Sequence, residues 1–345
     1  MRGRCGSSKI VIGHLERSVD AVIEAAGRLG VGDRRFPFMA RSLAGVFRGS
    51  ATLVDDGENA KKLETALFIV EELLRLGADR WDALIAIGGG SLLDTAGFAA
   101  SIYKRGVDYV NVPTTLLAMV DASIGGKTGV DHGRVKNVIG SFHQPRLVLI
   151  DPSLAETLDA RNYASGLAEV VKYGITLDAD FFSFLESSTH LLLSRSREAL
   201  WRAVARSAEL KARVVEEDER EEVGKRVVLN FGHTVGHAVE GASNFSLTHG
   251  EAVAIGMKCE LEMGVKLGVT DPDALGRYVS LCRSLGLCGE PRVDPSAAAE
   301  LVSADKKRRG GFISIPLVKT VGSWELAELG LDEVRREVIR CLSTH

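Results

Sequence analysis

Apolar positions change their period partway along this chain. Between Asp82 and Ile150, short continuous apolar runs alternate with longer stretches at helical spacing. Ala83 to Ile87 reads as a strand, Leu92 to Tyr103 as a helix, and Tyr109 to Val112 and Leu147 to Ile150 as further strands. Strands that alternate with helices predict a parallel sheet joined by crossover helices. Upstream, Leu63, Ala66, Leu67, Val70, Leu73 and Leu74 recur at three- and four-residue spacing within Lys61 to Leu76, the pattern of a helix that covers one face of such a sheet. After Asp151-Pro152 the strand signals nearly vanish. Helical patterns follow over Tyr163 to Tyr173, Glu198 to Glu217, Thr234 to Glu240, Glu251 to Leu267 and Asp271 to Leu285. A late pair of strand-like runs, Gly311 to Val318 and Ser323 to Leu326, predicts a small hairpin. The expected architecture is α/β: a Rossmann-like parallel-sheet domain over residues 1–156, then a mainly α-helical domain over 157–345.

Composition narrows the class without changing that picture. At 345 residues the chain is long enough for two domains, and 45% hydrophobic with 26% charged residues excludes disorder. Lys and Arg number 43 against 46 Asp and Glu, a net charge of -3, so no basic surplus exists for a nucleic-acid backbone or an anionic membrane. No stretch reaches the roughly 18 apolar residues of a membrane span. The basic start MRGRCGSSK leads into an apolar run, Ile10 to Ile12, that breaks at Gly13 and His14, so a cytoplasmic protein is expected. The cysteines Cys5, Cys259, Cys282, Cys288 and Cys341 are odd in number, widely spaced and lack a C-x-x-C pair. That pattern argues against a disulfide framework or a cysteine zinc knuckle and favours a reducing compartment.

Three features carry chemistry. The strand Ala83 to Ile87 runs into Gly88-Gly89-Gly90-Ser91 and then a helix. Bare backbone at a helix N-terminus is where a pyrophosphate binds. The spacing is not G-x-G-x-x-G, however, and a ligand-free turn explains it as well; Ser91 and Asp94 also match an S-x-x-D capping box. Next, Asn230-Phe-Gly-His233 opens a helical stretch with His237 four residues on, and His249 starts another helix. With Glu169, on a helical run beside Lys172, they supply the donors of a three-ligand catalytic zinc site with an open position. Spacing leaves open which three of the four bind, and histidines at i, i+4 also serve as caps or core residues. Last, Lys127, Lys136, Lys172, Lys211, Arg226 and Lys306 each neighbour a glycine turn, a polar residue or a candidate ligand. Singly each reads as a solvated surface cation; together they suit an anionic, polyhydroxylated, phosphorylated substrate.

An ordered set of motifs resembles the 3-dehydroquinate synthase family. They are Val112-Pro-Thr-Thr-Leu-Leu117, Asp121-Ala-Ser-Ile-Gly-Gly-Lys-Thr-Gly129, Lys136-Asn137, Gly166-Leu-Ala-Glu-Val-Val-Lys-Tyr-Gly174, Leu229-Asn-Phe-Gly-His-Thr234 and His249-Gly-Glu-Ala252. The similarity runs from about Gly57 to Asp305-Lys306-Lys307. The resemblance implies a phosphate-eliminating carbon–oxygen lyase of the shikimate pathway. It would convert 3-deoxy-D-arabino-heptulosonate 7-phosphate into 3-dehydroquinate with NAD in catalytic amount and zinc or cobalt, as a homodimer. It implies Glu169, His233 and His249 as metal ligands. Asp121, Lys127, Asn137, Lys172, Lys211, Arg226, Asn230, His237 and Lys306 would line the substrate pocket, and Arg105 would reach a phosphate in a neighbouring subunit. Cofactor contacts would come from Glu58, Lys61, Gly89, Gly90, Ser91, Asp94, Thr114, Thr115, Lys136 and Thr157.

One segment departs from the family. Members carry a β-branched strand before the Gly57-Glu-x-x-Lys61 segment, ending in an acidic or amide turn for the adenosine ribose. Here Arg34-Arg-Phe-Pro-Phe-Met-Ala-Arg-Ser-Leu43 stands in that region and does not read as a buried strand, with Asp33 or Asp55 as open replacements. Rival readings are another sugar phosphate cyclase, a metal-dependent polyol or glycerol-1-phosphate dehydrogenase, and a catalytically inactive NAD-binding protein. The Gly125-Gly-Lys127, Lys136-Asn137 and Arg226-x-x-x-Asn230 segments favour a cyclase over a dehydrogenase.

Overall fold

The computed structural model describes residues 2–5, 7–133, 135–287, 289, 293–302, 308–309 and 311–343. Cys288 and Lys306 lie outside the described residues. The chain divides into two compact units, residues 1–158 with 211–220, and residues 159–210 with 221–345.

The first unit opens with β1 (Arg2–Cys5) and β2 (Ser8–Ile12), followed by α1 (Val19–Arg28), β3 (Arg35–Ala40), β4 (Thr52–Val54), α2 (Leu63–Arg75) and β5 (Ala83–Gly88). It continues through α3 (Gly90–Ile102), β6 (Asp108–Pro113), a hairpin of β7 (Lys127–His132) and β8 (Val135–Phe142), and β9 (Leu147–Ile150). The sheet order is β1-β2-β9-β6-β5-β3-β4, with β2 through β4 mutually parallel and β1 antiparallel at the edge. Every residue of β5 is buried, which is why its sequence is an unbroken apolar run rather than an alternation. Leu84 and Ala86 of β5 join Ile69 and Leu73 of α2 and Leu92, Leu93 and Ala96 of α3 in one core. The chain leaves β3 outward to β4 and leaves β5 in the opposite direction to β6, so the sheet reverses its winding between β3 and β5. In open α/β sheets ligands bind at the carboxyl ends of the strands at such a reversal.

The segment Arg34 to Leu43 corrects the sequence reading. It contains β3, paired with β5 from Arg35 to Met39 and with β4 from Phe38 to Ala40, and its Phe38, Met39 and Ala40 are buried. The two arginines and Pro37 hide it. Arg34 is drawn off to Asp82, Arg35 donates to the carbonyls of Val31 and Gly32, and Pro37 lies before β4 joins, where one side of the strand is unpaired.

The second unit is helical: α4 (Ala160–Leu177), α5 (Ala179–Ser187), α6 (Thr189–Leu193), α7 (Arg197–Glu217), α8 (His233–Ala242), α9 (His249–Lys266), α10 (Pro272–Ser284) and α11 (Pro295–Val302). Residues Lys211 to Glu217 at the end of α7 cluster with the first unit. The expected hairpin forms from β11 (Phe312–Thr320) and β12 (Ser323–Gly330), and the short β10 (Arg308–Arg309) adds a third strand on β11. The final helix, α12 (Leu331–Ser343), shares a core with α8, α9, α11 and β11 through Val334, Val338, Val239, Ile255, Met263, Ala298 and Ile315. Within it Cys259 of α9 and Cys341 of α12 form a disulfide, with Cα atoms 5.6 Å apart and a sequence separation of 82. The cysteine pattern that argued against a disulfide framework is thereby corrected for this one pair: the packing of two distant helices made it, and sequence spacing carries no trace of it. Among the described residues no helix is long and apolar enough to cross a membrane.

Candidate active site

Two helix starts and the middle of a third helix in the second unit converge on one point. The α4 helix is capped by Asp159, whose side chain accepts from the Asn162 N–H, and its middle carries the fully buried Glu169. The α9 helix begins with a capping box: Thr248 accepts from the Glu251 N–H while Glu251 accepts from the Thr248 N–H, which makes His249 the first helical residue. The α8 helix begins at His233 behind Gly232, a left-handed cap (φ 78°) with no side chain to offer.

Close helix packing then sets the distances. At Gly250 a Cβ would come within 2.6 Å of the Ser165 carbonyl carbon, and at Gly256 within 2.6 Å of Gly236 N, so α9 lies against α4 and α8 with backbone touching backbone. The result is a cluster in which Glu169, His233 and His249 bring ligand atoms within 4.8 Å of one another. Both histidine Nε2 atoms lie 3.5 Å from Glu169 Oε1.

The electrostatics of the cluster suit a cation. Burial, then the nearby Lys172 ammonium and the other two imidazoles, hold His233 well below the usual histidine range, so at neutral pH it is the uncharged, ligating form. Its Nδ1–H donates to the Phe231 carbonyl (3.1 Å), leaving Nε2 as the lone-pair nitrogen that faces Glu169. Lys172, one turn beyond Glu169, ion-pairs with its carboxylate and donates to the Leu229 carbonyl at 2.8 Å. His237 stands beside the cluster without joining it. Its ring centroid is 5.3 Å from that of His233 and 6.0 Å from that of His249, and its side chain is exposed. Geometry thus groups Glu169, His233 and His249 as a candidate ligand set and leaves out a fourth histidine that spacing left equivalent. Arg226, buried, and Asn230 bound a single 3-10 turn that leads through Phe231 and Gly232 into α8.

The first unit assembles the rest of the described candidates. Gly89, not Ser91, caps α3, and this cap makes no side-chain hydrogen bond to the amides of the first turn. The capping-box alternative for Ser91 and Asp94 therefore fails, and Asp94 instead receives the Lys61 ammonium at 2.9 Å. Burial pushes Asp94 up; burial also opposes the Lys61 charge, but the charge and hydrogen bond of Asp94, with the charges of Glu58 and Asp131, together outweigh it and raise Lys61, which keeps its proton. Thr114 N–H donates to the Gly88 carbonyl and Thr115 Oγ1 accepts from the Ala118 N–H, which fixes the end of β6 beside the glycine turn. Lys136 pairs with Glu58 at 3.4 Å. Asp121 sits on a π-helical turn, Ala118–Ala122, and accepts Lys211 Nζ through its carboxylate (2.7 Å) and its carbonyl (2.6 Å).

Lys127 is the first residue of β7, following Gly125 and Gly126. Asn137 adopts a left-handed backbone (φ 52°) on β8, its N–H on Asp131. Arg105 is exposed at a left-handed position (φ 67°), and Thr157 donates to the Leu154 carbonyl within a 3-10 turn. One carboxylate passed over in the sequence also reaches this part of the second unit: Glu260, fully buried on α9, accepts from the Gly232 N–H. Its place on an apolar helix face, three turns beyond His249, was the available signal.

Comparison with known proteins matches this arrangement over its length. The model of the 3-dehydroquinate synthase N-terminal region matches residues 51–165, and that of the C-terminal region matches residues 166–308. The 3-dehydroquinate synthase of Pyrobaculum islandicum is 49% identical over 294 residues, covering 84% of this chain and 85% of that protein. That of Saccharolobus solfataricus is 42% identical over 294 residues, 84% of this chain and 83% of that protein. Among solved structures, a 2-epi-5-epi-valiolone synthase from Streptomyces hygroscopicus subsp. jinggangensis 5008, with NAD+ and Zn2+ bound, superposes with a TM-score of 0.85 at 29% identity, covering 98% of this chain and 97% of that one.

Glycine turn, sheet reversal and three-ligand cluster define an enzyme of the sugar phosphate cyclase class. The matches span both units of the chain. It belongs to the 3-dehydroquinate synthase family.

Proposed function

We propose that this chain converts 3-deoxy-D-arabino-heptulosonate 7-phosphate into 3-dehydroquinate and inorganic phosphate, as a cytoplasmic homodimer with NAD and a divalent cation. The observation that carries the reading is the Glu169–His233–His249 set: two imidazole nitrogens and a carboxylate oxygen within 4.8 Å, one histidine neutral by burial, in a chain 49% identical to a 3-dehydroquinate synthase. Three protein ligands of this kind fit zinc or cobalt and leave a position for substrate hydroxyls. The amides at the start of α3, with no side-chain cap and at the carboxyl end of β5, fit a dinucleotide pyrophosphate. Gly89, Gly90, Ser91, Thr114, Thr115 and Thr157 would hold the cofactor together with the Lys61–Asp94 and Lys136–Glu58 pairs.

When bound, NAD supplies a reversible hydride acceptor and the cation acidifies the hydroxyl it binds. The protein's own groups do the rest. Lys172 ion-pairs with the Glu169 carboxylate and orients it. Arg226, Lys211, Lys127, Lys306 and, from a neighbouring subunit, Arg105 supply positive charge for the substrate carboxylate and phosphate. Asn230, Asn137 and Asp121 orient hydroxyls, with Asp121 itself fixed by Lys211. His237, exposed next to the neutral His233, is placed to take or return a proton. In the elimination step the departing phosphate would take the proton itself.

The test is incubation of purified protein with the heptulosonate phosphate, NAD and Zn2+, measuring phosphate release and product identity. 3-Dehydroquinate with an equal amount of phosphate is expected. A different cyclitol would assign the chain to another sugar phosphate cyclase, and oxidised substrate with retained phosphate to a dehydrogenase.

A further inference from the structure

The geometry points to Glu260 as a positioning residue for the metal ligand His233, acting through one peptide group; the inference rests on the metal reading above. Glu260 lies on α9 with no solvent exposure. A buried carboxylate is costly unless its charge is used, and here it is spent on the start of α8. Glu260 Oε2 accepts the Gly232 N–H at 2.7 Å, and Oε1 accepts the Val235 N–H at 3.4 Å. Because the α8 cap is a glycine, no local side chain can satisfy these first amides, and Glu260 supplies an anionic cap from the neighbouring helix.

The amide held by Glu260 has a second end. The Phe231–Gly232 peptide presents its N–H to Glu260 and its carbonyl to the His233 Nδ1–H, 3.1 Å away. With both ends of this planar peptide hydrogen-bonded, its rotation is opposed and His233 Nε2 is held toward Glu169, 3.5 Å away. Charge on Glu260 also polarises the peptide, which makes the Phe231 carbonyl a better acceptor and Nε2 a better donor to a metal. In effect the carboxylate that often orients a metal-bound histidine directly acts here one peptide removed. Gly232 permits the arrangement, since its left-handed backbone (φ 78°) lies against Val253 and Met257 and a Cβ would collide with both.

The test uses the full chain, stripped of metal, as wild type, Glu260→Gln and Glu260→Met. Zn2+ affinity is read by competition with a chromophoric chelator, Co2+ geometry by visible absorption, and folding by circular dichroism and thermal unfolding. Wild type is expected to bind one ion. Glu260→Gln, which keeps an acceptor for the Gly232 N–H but loses the charge, should bind Zn2+ about tenfold more weakly with shifted Co2+ bands. Glu260→Met should bind about 100-fold more weakly. If Glu260→Met fails to fold, Glu260→Gln decides alone. Folded variants with wild-type affinity and unchanged Co2+ bands, whatever their melting temperature, overturn the inference while leaving the metal site standing. A wild type that takes up no ion overturns the metal reading and this inference with it.

Discussion

Replacing Gly256 by alanine should cost the protein its metal before it costs the fold. A Cβ at Gly256 would stand 2.6 Å from Gly236 N and closer still to the Gly232 carbonyl oxygen. Both are backbone atoms of the segment that carries His233, so no flexible side chain can yield. Reaching an ordinary contact of 3.4 Å requires α8 and α9 to separate by at least about 0.8 Å at Gly236, and by more at the Gly232 carbonyl. Metal sites tolerate about 0.2 Å in their ligand distances. The displacement exceeds that several-fold, because His233 is on one helix and His249 on the other. The stability penalty is that of overpacking, about 1–3 kcal/mol. Gly276 is the control: it is exposed in the middle of α10 with nothing within 4 Å of its Cβ position, so alanine there should stabilise by about 0.5–1 kcal/mol. Thermal unfolding and zinc content after dialysis against a mild chelator read both quantities. The expected result is a folded Gly256→Ala with little retained zinc and a Gly276→Ala equal to wild type in zinc. Full zinc retention in Gly256→Ala would show that helix proximity does not set the ligand geometry.

Three further outcomes follow from the same structure. His233→Ala should lose tightly bound metal, whereas His237→Ala should keep about one ion per chain and lose most of its activity; equal metal loss in both means the ligands are misassigned. The Cys259–Cys341 disulfide closes a loop of 82 residues, worth about 4.5 kcal/mol on chain entropy, so reductant should lower the melting temperature of wild type and leave Cys341→Ser unmoved. Two free thiols titrating at these positions in the unreduced protein would refute the pairing. Burial pushes Asp82 up, but hydrogen bonds from Arg34 and the Asp79 N–H outweigh it and hold the carboxyl below its usual range. Its contribution to stability is therefore complete above about pH 4 and lost as pH falls through its lowered pKa. Urea unfolding should show Asp82→Asn less stable than wild type at pH 7, with the gap narrowing below pH 4.

What the sequence shows of this fold depends on whether a signal is local. The strand at Ala83 to Ile87 and its glycine turn were legible because a fully buried parallel strand is one apolar run ended by residues without side chains. The strand β3 was hidden: Arg34 and Arg35 look like surface until Asp82 and the carbonyls of Val31 and Gly32 are seen to receive them. Strands β7 and β8 escaped notice because β8 exposes Val135, Val138 and Phe142 among polar and glycine positions, so its apolar residues mark no buried face, and Gly129 and Gly140 lie where the two strands cross closely. At the metal cluster, i, i+4 spacing placed His233 and His237 on one helical face but gave no depth; burial of the first and exposure of the second came only with packing. Glu260 and the Cys259–Cys341 pair lie further from reach, since each depends on which helix lies beside α9.

The central claim is a redox-neutral reaction, in which hydride removed from the substrate is returned within one turnover. The direct measurement follows phosphate release and absorbance at the NADH band together, with substrate in large excess over NAD. The account predicts many phosphates released per NAD and no net NADH at completion. One NADH formed for each substrate consumed, with turnover stopping when NAD is exhausted, would contradict it.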